Sequence, residues 1–150
     1  MHMNARVVYL TEHAEIKVEP ALSLVRLTWK GNAAGLAYRA PVLQLIGAVE
    51  EFGLKYFFSD ARNMGPILYD DLLWSQKEII PKLISAGLKR IANLSSRDGL
   101  NLIAVDNLVN AIPADAPFNV AFFNDEALAI NWLLHRSEHL DVLLERTHKA

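Results

Sequence analysis

The chain contains no cysteine among its 150 residues. This absence excludes disulfide bonds, thiolate metal sites and cysteine nucleophiles, and it is typical of reducing compartments. Long apolar runs are also missing, since none approaches the roughly 18 residues that a membrane-spanning helix needs. The apolar segment at positions 7–10 is too short for a signal-peptide core. We therefore expect a cytoplasmic protein without stable membrane insertion.

Basic and acidic residues nearly balance in this sequence. Fifteen basic and 17 acidic residues give a net charge of −2, and the densest basic point is the pair Lys89-Arg90. Such a balance provides no general attraction to polyanions. Nucleic acid is therefore not an expected partner.

What the chain does have is a globular composition, with 52% hydrophobic and 21% charged residues. Its length suits one domain with a single good core. No internal repeat, low-complexity stretch or linker interrupts it. We predict a single domain over residues 1–150.

The hydrophobic pattern predicts alternating strands and helices after a β-rich start. The expected strands are 6–10, 15–19, 22–29, 54–58, 89–94 and 118–123, and the expected helices are 33–52, 70–86, 98–112 and 125–134. This order predicts an α/β fold: leading antiparallel strands, then βαβ units, in a mixed sheet covered by helices.

Three local signals refine the helices. Asp70 or Asp71 is a suitable N-cap for the second helix, and Asn124 for the last. Pro81 falls inside the second helical pattern, where we expect it to kink the helix near Lys77.

An ordered set of short motifs runs through residues 14–134. The motifs are Trp29-Lys30-Gly31, Asp60-Ala61-Arg62-Asn63-Met64, Trp74, Pro81, Ala86-Gly87-Leu88-Lys89-Arg90, Phe122-Phe123, Ala129 and Trp132-Leu133. Together they resemble small stand-alone bacterial proteins classed with STAS domains, the SpoIIAA-like fold that is also likened to the lipid-binding CRAL-TRIO domain.

In signalling STAS domains, the helix after the central strand begins with a phosphorylatable serine. The matching positions here are Tyr69, Asp70 and Asp71, with neither Ser nor Thr, and Ser75 lies one turn further on. The resemblance therefore implies the fold but argues against a kinase-operated switch. The two carboxylates either imitate a phosphorylated residue or serve the helix N-terminus.

Asp60, Arg62 and Asn63 follow a buried strand, at the end where open α/β sheets bind ligands. Arg62 could bind a carboxylate or phosphate, and Asp60 could accept a hydrogen bond or a proton. Alternatively, Asp60 and Asn63 satisfy turn amides while Arg62 pairs with Asp60 or with a helix end.

The tryptophans are expected in the core, but Trp74 also suggests a ligand site. Together with Ile79 and Leu83 it could line an apolar pocket beneath the helix that Pro81 interrupts. A lipid-like molecule would suit such a pocket, with Arg62 binding an anionic end. Trp74 therefore joins Asp60, Arg62 and Asn63 as a candidate ligand-binding residue.

The C-terminal tail, residues 135–150, contains one metal-like motif. His135, Glu138 and His139 match H-x-x-E-H, but the only acidic third ligand downstream is Glu145. We interpret the match as coincidental and predict no metal site. The Asn93-Leu94-Ser95 sequon is likewise expected to be unused in a cytoplasmic protein.

Leucines continue into this tail, which we expect to be helical. They could bury against the domain or against a second copy, which makes a homodimer a further expectation. The leucines concerned are Leu133, Leu140, Leu143 and Leu144.

No phosphate-binding loop or dinucleotide motif is present, and no assembled catalytic set surrounds Asp60, so we predict neither a cofactor nor a catalytic site. The preferred hypothesis is a non-catalytic STAS-like module that acts through an unidentified protein partner. The alternative is a binding protein for a small apolar or anionic, lipid-like ligand. An enzyme that uses Asp60 and Arg62 is the weakest of the three hypotheses.

Overall fold

The structure, a computed structural model, describes residues 5–135, except for the side chain of His135. Six strands form one sheet in the order β1-β2-β3-β4-β5-β6. The strands are β1 (Arg6–Leu10), β2 (Ala14–Glu19), β3 (Leu24–Trp29), β4 (Tyr56–Asp60), β5 (Arg90–Leu94) and β6 (Asn119–Phe123).

The helices follow the strands as the alternating pattern predicts. They are α1 (Leu36–Phe52), α2 (Tyr69–Trp74), α3 (Ile80–Ser85), α4 (Gly99–Asn110) and α5 (Glu126–His135). A π-helical turn, Ser75–Ile79, joins α2 to α3, and a short 3-10 turn, Pro20–Leu22, precedes β3. This order confirms the predicted α/β class.

The sheet is mixed, as the sequence predicts. Strands β1, β2 and β3 pair antiparallel, whereas β3 to β6 pair parallel in chain order. Right-handed crossovers between successive parallel strands place their helices on one face. Helix α5 follows the last strand and packs on the opposite face, against β4, β5 and β6.

Strand alternation therefore divides the apolar side chains into two cores. The larger core lies between the sheet and α1, α2 and α3, and Trp29 there stacks on Tyr38 with ring centroids 5.5 Å apart. The smaller core lies under α5, where Phe58, Leu94 and Leu133 are fully buried. Leu133 thus belongs to the domain core.

Two predicted helix caps are wrong. Helix α2 begins one residue earlier, with Leu68 at its N-cap, and neither Asp70 nor Asp71 accepts a capping hydrogen bond. At α5 the side chain of Asp125, rather than Asn124, accepts the N–H of Leu128, at 2.9 Å. At α5 the neighbouring aspartate replaces the predicted cap, whereas at α2 the N-cap is an apolar residue and no side chain caps the helix.

Pro81 is associated with a different irregularity from the predicted kink. The segment before it forms the π-helical turn, in which the N–H of Ile80 bonds to the carbonyl of Ser75. Proline lacks the N–H that would continue the α-helical ladder, so an irregular turn just before it is physically reasonable. This turn includes Lys77, the residue near which the sequence predicts a kink.

Candidate functional site at the carboxyl edge of the sheet

Asp60 and Arg62 lie at the carboxyl end of β4 and bind each other. Oδ2 of Asp60 accepts a bond from Nη2 of Arg62 at 2.8 Å, and Oδ1 accepts bonds from Nε at 3.1 Å and from the Arg62 backbone N–H at 3.2 Å. The bonds of Asp60 to the residue two positions on are those that the turn interpretation expects, and ligand binding by this pair stays a prediction.

Glu126, in the first turn of α5, extends this pair into a network. Its Oε1 lies 3.2 Å from Nη2 of Arg62, and its Oε2 lies 3.1 Å from Nη2 of Arg26 on β3. Two cations and two anions thus connect β3, the end of β4 and α5. The Arg62 guanidinium is already engaged by two carboxylates.

The network also sets the protonation of Asp60. Burial alone would raise the pKa of the Asp60 carboxyl, but the hydrogen bonds from Arg62 and the charges of Arg62 and Arg26 hold it below its ordinary value. The Asp60 carboxylate, and to a smaller extent that of Glu126, raises the pKa of Arg62. Both groups therefore stay ionised near neutral pH, and the Asp60 carboxyl is not a proton donor there.

The other candidate residues are separated from this pair. Asn63 is exposed at the turn. Trp74 lies on the opposite face of the sheet, edge-on to Tyr38 at 6.2 Å and 5.1 Å from the Arg39 guanidinium. A single ligand that contacts Arg62 at one end and Trp74 at the other is therefore not supported by the geometry.

Tyr69, Asp70 and Asp71 match the position of the phosphorylated serine in signalling STAS domains, and one of the three, Asp71, connects two helices. Asp71 is buried, and its carboxylate accepts the N–H of Gly35 and the Nε–H of Arg39, each at 2.9 Å. Tyr69 and Asp70 are exposed. Asp71 thus fixes the start of α1 to the first turn of α2, a role that the capping hypothesis does not include.

Ser75, the nearest serine to Tyr69, Asp70 and Asp71, is only 3% exposed. Its Oγ lies 2.8 Å from the hydroxyl of Tyr38. Burial raises the pKa of Tyr38 to about 12, so the phenol stays protonated at physiological pH and the pair is neutral. A kinase would have no access to Ser75 in this conformation.

An apolar cavity of about 160 Å³ lies between the sheet and the helices on the larger-core face. Ile79 and Leu83 line it, as the sequence predicts, but Trp74 does not. Its few polar side chains are Tyr38, Ser59, Ser75 and Asn93, and no charged side chain lines it. Of the apolar and the anionic ligand in the sequence hypothesis, the cavity therefore favours the apolar one.

Sequence reasoning did not identify Glu126 or Asn93. Glu126 is 64 residues from Arg62, and nothing in its local pattern marks it. The sequence does contain a feature that could have marked Asn93, because it is the one polar residue in the strand segment Ile91–Leu94. In the sequence it drew notice only as part of a sequon.

The remaining expectations concern a metal site, a membrane-spanning helix and the C-terminal tail. Within residues 5–135 the structure contains no group of three or more His, Asp or Glu residues placed to hold a metal ion. No helix in that part of the chain is both long and apolar enough to cross a lipid bilayer. The H-x-x-E-H motif beyond His135 and the tail leucines Leu140, Leu143 and Leu144 lie outside the described residues.

No family model and no curated protein matches the sequence. Among solved structures, the fold is similar to SiaC of Pseudomonas aeruginosa, with a TM-score of 0.51 and 13% sequence identity. The match covers 81% of this chain and 100% of SiaC. At this identity the likeness supports the α/β fold, and the narrower STAS-like assignment stays a prediction.

Proposed function

We propose that the protein is a non-catalytic, STAS-like binding module that acts through protein contacts at the carboxyl edge of its sheet. The observation that carries the proposal is a row of exposed apolar side chains along this edge. Leu36, Leu68, Tyr69 and Leu100 are 79%, 55%, 70% and 65% exposed. We call these four residues the apolar rim.

The rim is a consequence of topology. Its residues begin α1, α2 and α4, the helices that follow β3, β4 and β5, so all four lie at the edge where parallel strands end. Open α/β sheets bind their ligands at this edge. Several large apolar side chains exposed together are typical of a protein interaction surface.

Hydrogen bonds hold the rim helices in place. Asp71 ties α2 to α1 through the N–H of Gly35, and Nδ2 of Asn101 in α4 donates to the carbonyl of Gly65 at 2.9 Å. A surface built on fixed helices loses little conformational entropy on binding. The rim is therefore suited to a preformed contact.

Serine phosphorylation, which controls the contacts of signalling STAS domains, would not control this contact. The first turn of α2 offers no hydroxyl except that of Tyr69, and Ser75 is buried against Tyr38. Support for a non-catalytic role comes from Asp60 and Arg62, whose charged groups neutralise each other. We infer a contact that is formed without serine phosphorylation.

The test is a comparative pull-down from an extract of the organism that encodes the chain. The wild type is compared with a rim variant, Leu36→Ser/Leu68→Ser/Tyr69→Ser/Leu100→Ser. A control variant changes apolar residues of comparable exposure elsewhere, Val7→Ser/Leu10→Ser/Leu43→Ser/Leu128→Ser.

We expect a protein that the wild type and the control variant retain and the rim variant loses. Far-UV circular dichroism must first show that both variants are folded. Equal recovery by the rim variant, or no specific recovery by the wild type, would contradict the proposal.

A further inference from the structure

The cavity on the larger-core face contains a polar group that the protein itself does not satisfy. Asn93 on β5 lines the cavity, is 8% exposed, and forms no hydrogen bond through its side chain to any described residue. The amide atoms of Asn93 are not fully enclosed by protein, because they adjoin the open space of the cavity, so the amide is available to an occupant.

The strand register places a second polar group beside Asn93. Ser59 on β4 is the direct Cα partner of Asn93, and Ser59 also lines the cavity. Adjacent residues in register point to the same face of a sheet. An amide and a hydroxyl thus form one polar spot on a floor that is otherwise apolar.

The covering helices leave room above this floor. On this face, α1 makes close backbone contacts with β2 and β3, whereas α3 and α4 make few with any strand. Val105, Leu108 and Val109 of α4 face the cavity, yet they are only partly buried. The space between the sheet and α4 is therefore not filled by protein side chains.

We propose that this cavity binds one small, uncharged molecule, the size of a single aromatic ring, whose one hydrogen-bonding group faces Asn93. Size supports this class, because an engineered cavity of about 150 Å³ in another protein binds benzene, and this one measures about 160 Å³. Its lining contains no cation for an acid or a phosphate.

The test compares phenol with toluene, which have the same shape and differ in one hydrogen-bonding group. Each is titrated into the full-length protein, with amide chemical shifts from NMR as the readout of the Kd. Benzoate serves as the charged ring of similar size. We expect saturable binding of phenol, weaker binding of toluene and none of benzoate.

Two variants locate the site. Asn93→Leu removes the amide at similar volume, and we expect it to weaken phenol binding roughly five- to tenfold while toluene binding is kept. Val109→Phe extends a ring into the cavity from a helix that stands off the sheet, and we expect it to abolish binding of both. Asn107→Leu, on the exposed side of α4, is the matched control and should bind as the wild type does.

A second measurement does not depend on ligand. Since Asn93→Leu puts an apolar side chain of similar volume into a mostly apolar lining, the Tm of the variant should be no lower than that of the wild type. The proposal would be overturned by the absence of saturable binding of phenol and toluene. It would also be overturned by an unchanged phenol-to-toluene ratio in Asn93→Leu, or by wild-type binding in Val109→Phe.

Discussion

Three aspartates close together in the sequence have different environments. Asp60 is bonded to Arg62, Asp71 is buried between Gly35 and Arg39, and Asp70 is exposed. Their residue type alone suggests the same capping or acid chemistry for each. Their partners, which lie up to 36 residues away, decide what each does.

At Asp71 the expected effect is on stability. Asp71→Ala leaves the N–H of Gly35 and the guanidinium of Arg39 without their shared acceptor, which should lower the free energy of unfolding by about 2–3 kcal/mol. Urea unfolding at pH 7 measures this change. Asp70→Ala, one residue away and exposed, is the control and should change it by no more than about 0.5 kcal/mol. Equal effects in the two variants would show that the bonds of Asp71 contribute nothing specific.

At Asp60 the expected effect is a pH dependence. Because its pKa is lowered in the folded state, ionised Asp60 stabilises the protein above its unfolded pKa, 3.8, and this stabilisation is lost as the pH falls through the lower folded pKa. The wild type should therefore exceed Asp60→Asn in free energy of unfolding at pH 7, and by less at pH 3. Urea unfolding at both values gives the difference, and a gap that stays constant or widens in acid would refute the coupling to Arg62.

At the scale of elements, the pattern of strands and helices could be predicted because it depends on local periodicity. The order, the mixed sheet and the irregularity before Pro81 follow from signals within a few residues. The caps and the charged network could not, because Asp125 replaces Asn124 by a shift of one residue and Glu126 meets Arg62 only after folding. The cavity could be predicted only in part: Ile79 and Leu83 line it as the sequence suggests, but the contributions of Asn93 and of α4 depend on the folded arrangement.

The π-helical turn has a measurable role in joining elements. Within it, Ser75 faces α1 and its Oγ lies 2.8 Å from the hydroxyl of Tyr38. Tyr38→Phe and Ser75→Ala should each lower the free energy of unfolding by about 1–2 kcal/mol, because each leaves a buried hydroxyl without its partner. The double variant should lose less than the sum of the two, by about 1 kcal/mol. Strict additivity in this double-mutant cycle would mean that the hydroxyls do not stabilise the junction.

For the whole molecule, the central fact is that one sheet serves two cores. The same strands contribute Phe57 and Ile91 to the larger core and Phe58 and Ala92 to the core under α5. Neither helical layer can keep its apolar face buried if the sheet is lost. The two sides should therefore unfold together.

The three tryptophans allow this cooperativity to be measured. Trp29 and Trp74 report on the larger-core side, and Trp132 reports on the α5 side. In Trp132→Phe, and separately in Trp29→Phe/Trp74→Phe, urea unfolding is followed by fluorescence and by far-UV circular dichroism on the same samples. The two probes should give the same midpoint within each variant, because one domain unfolds in a single transition. A fluorescence midpoint for Trp132 that precedes the circular dichroism midpoint would instead show that α5 separates from the sheet before the rest of the domain unfolds.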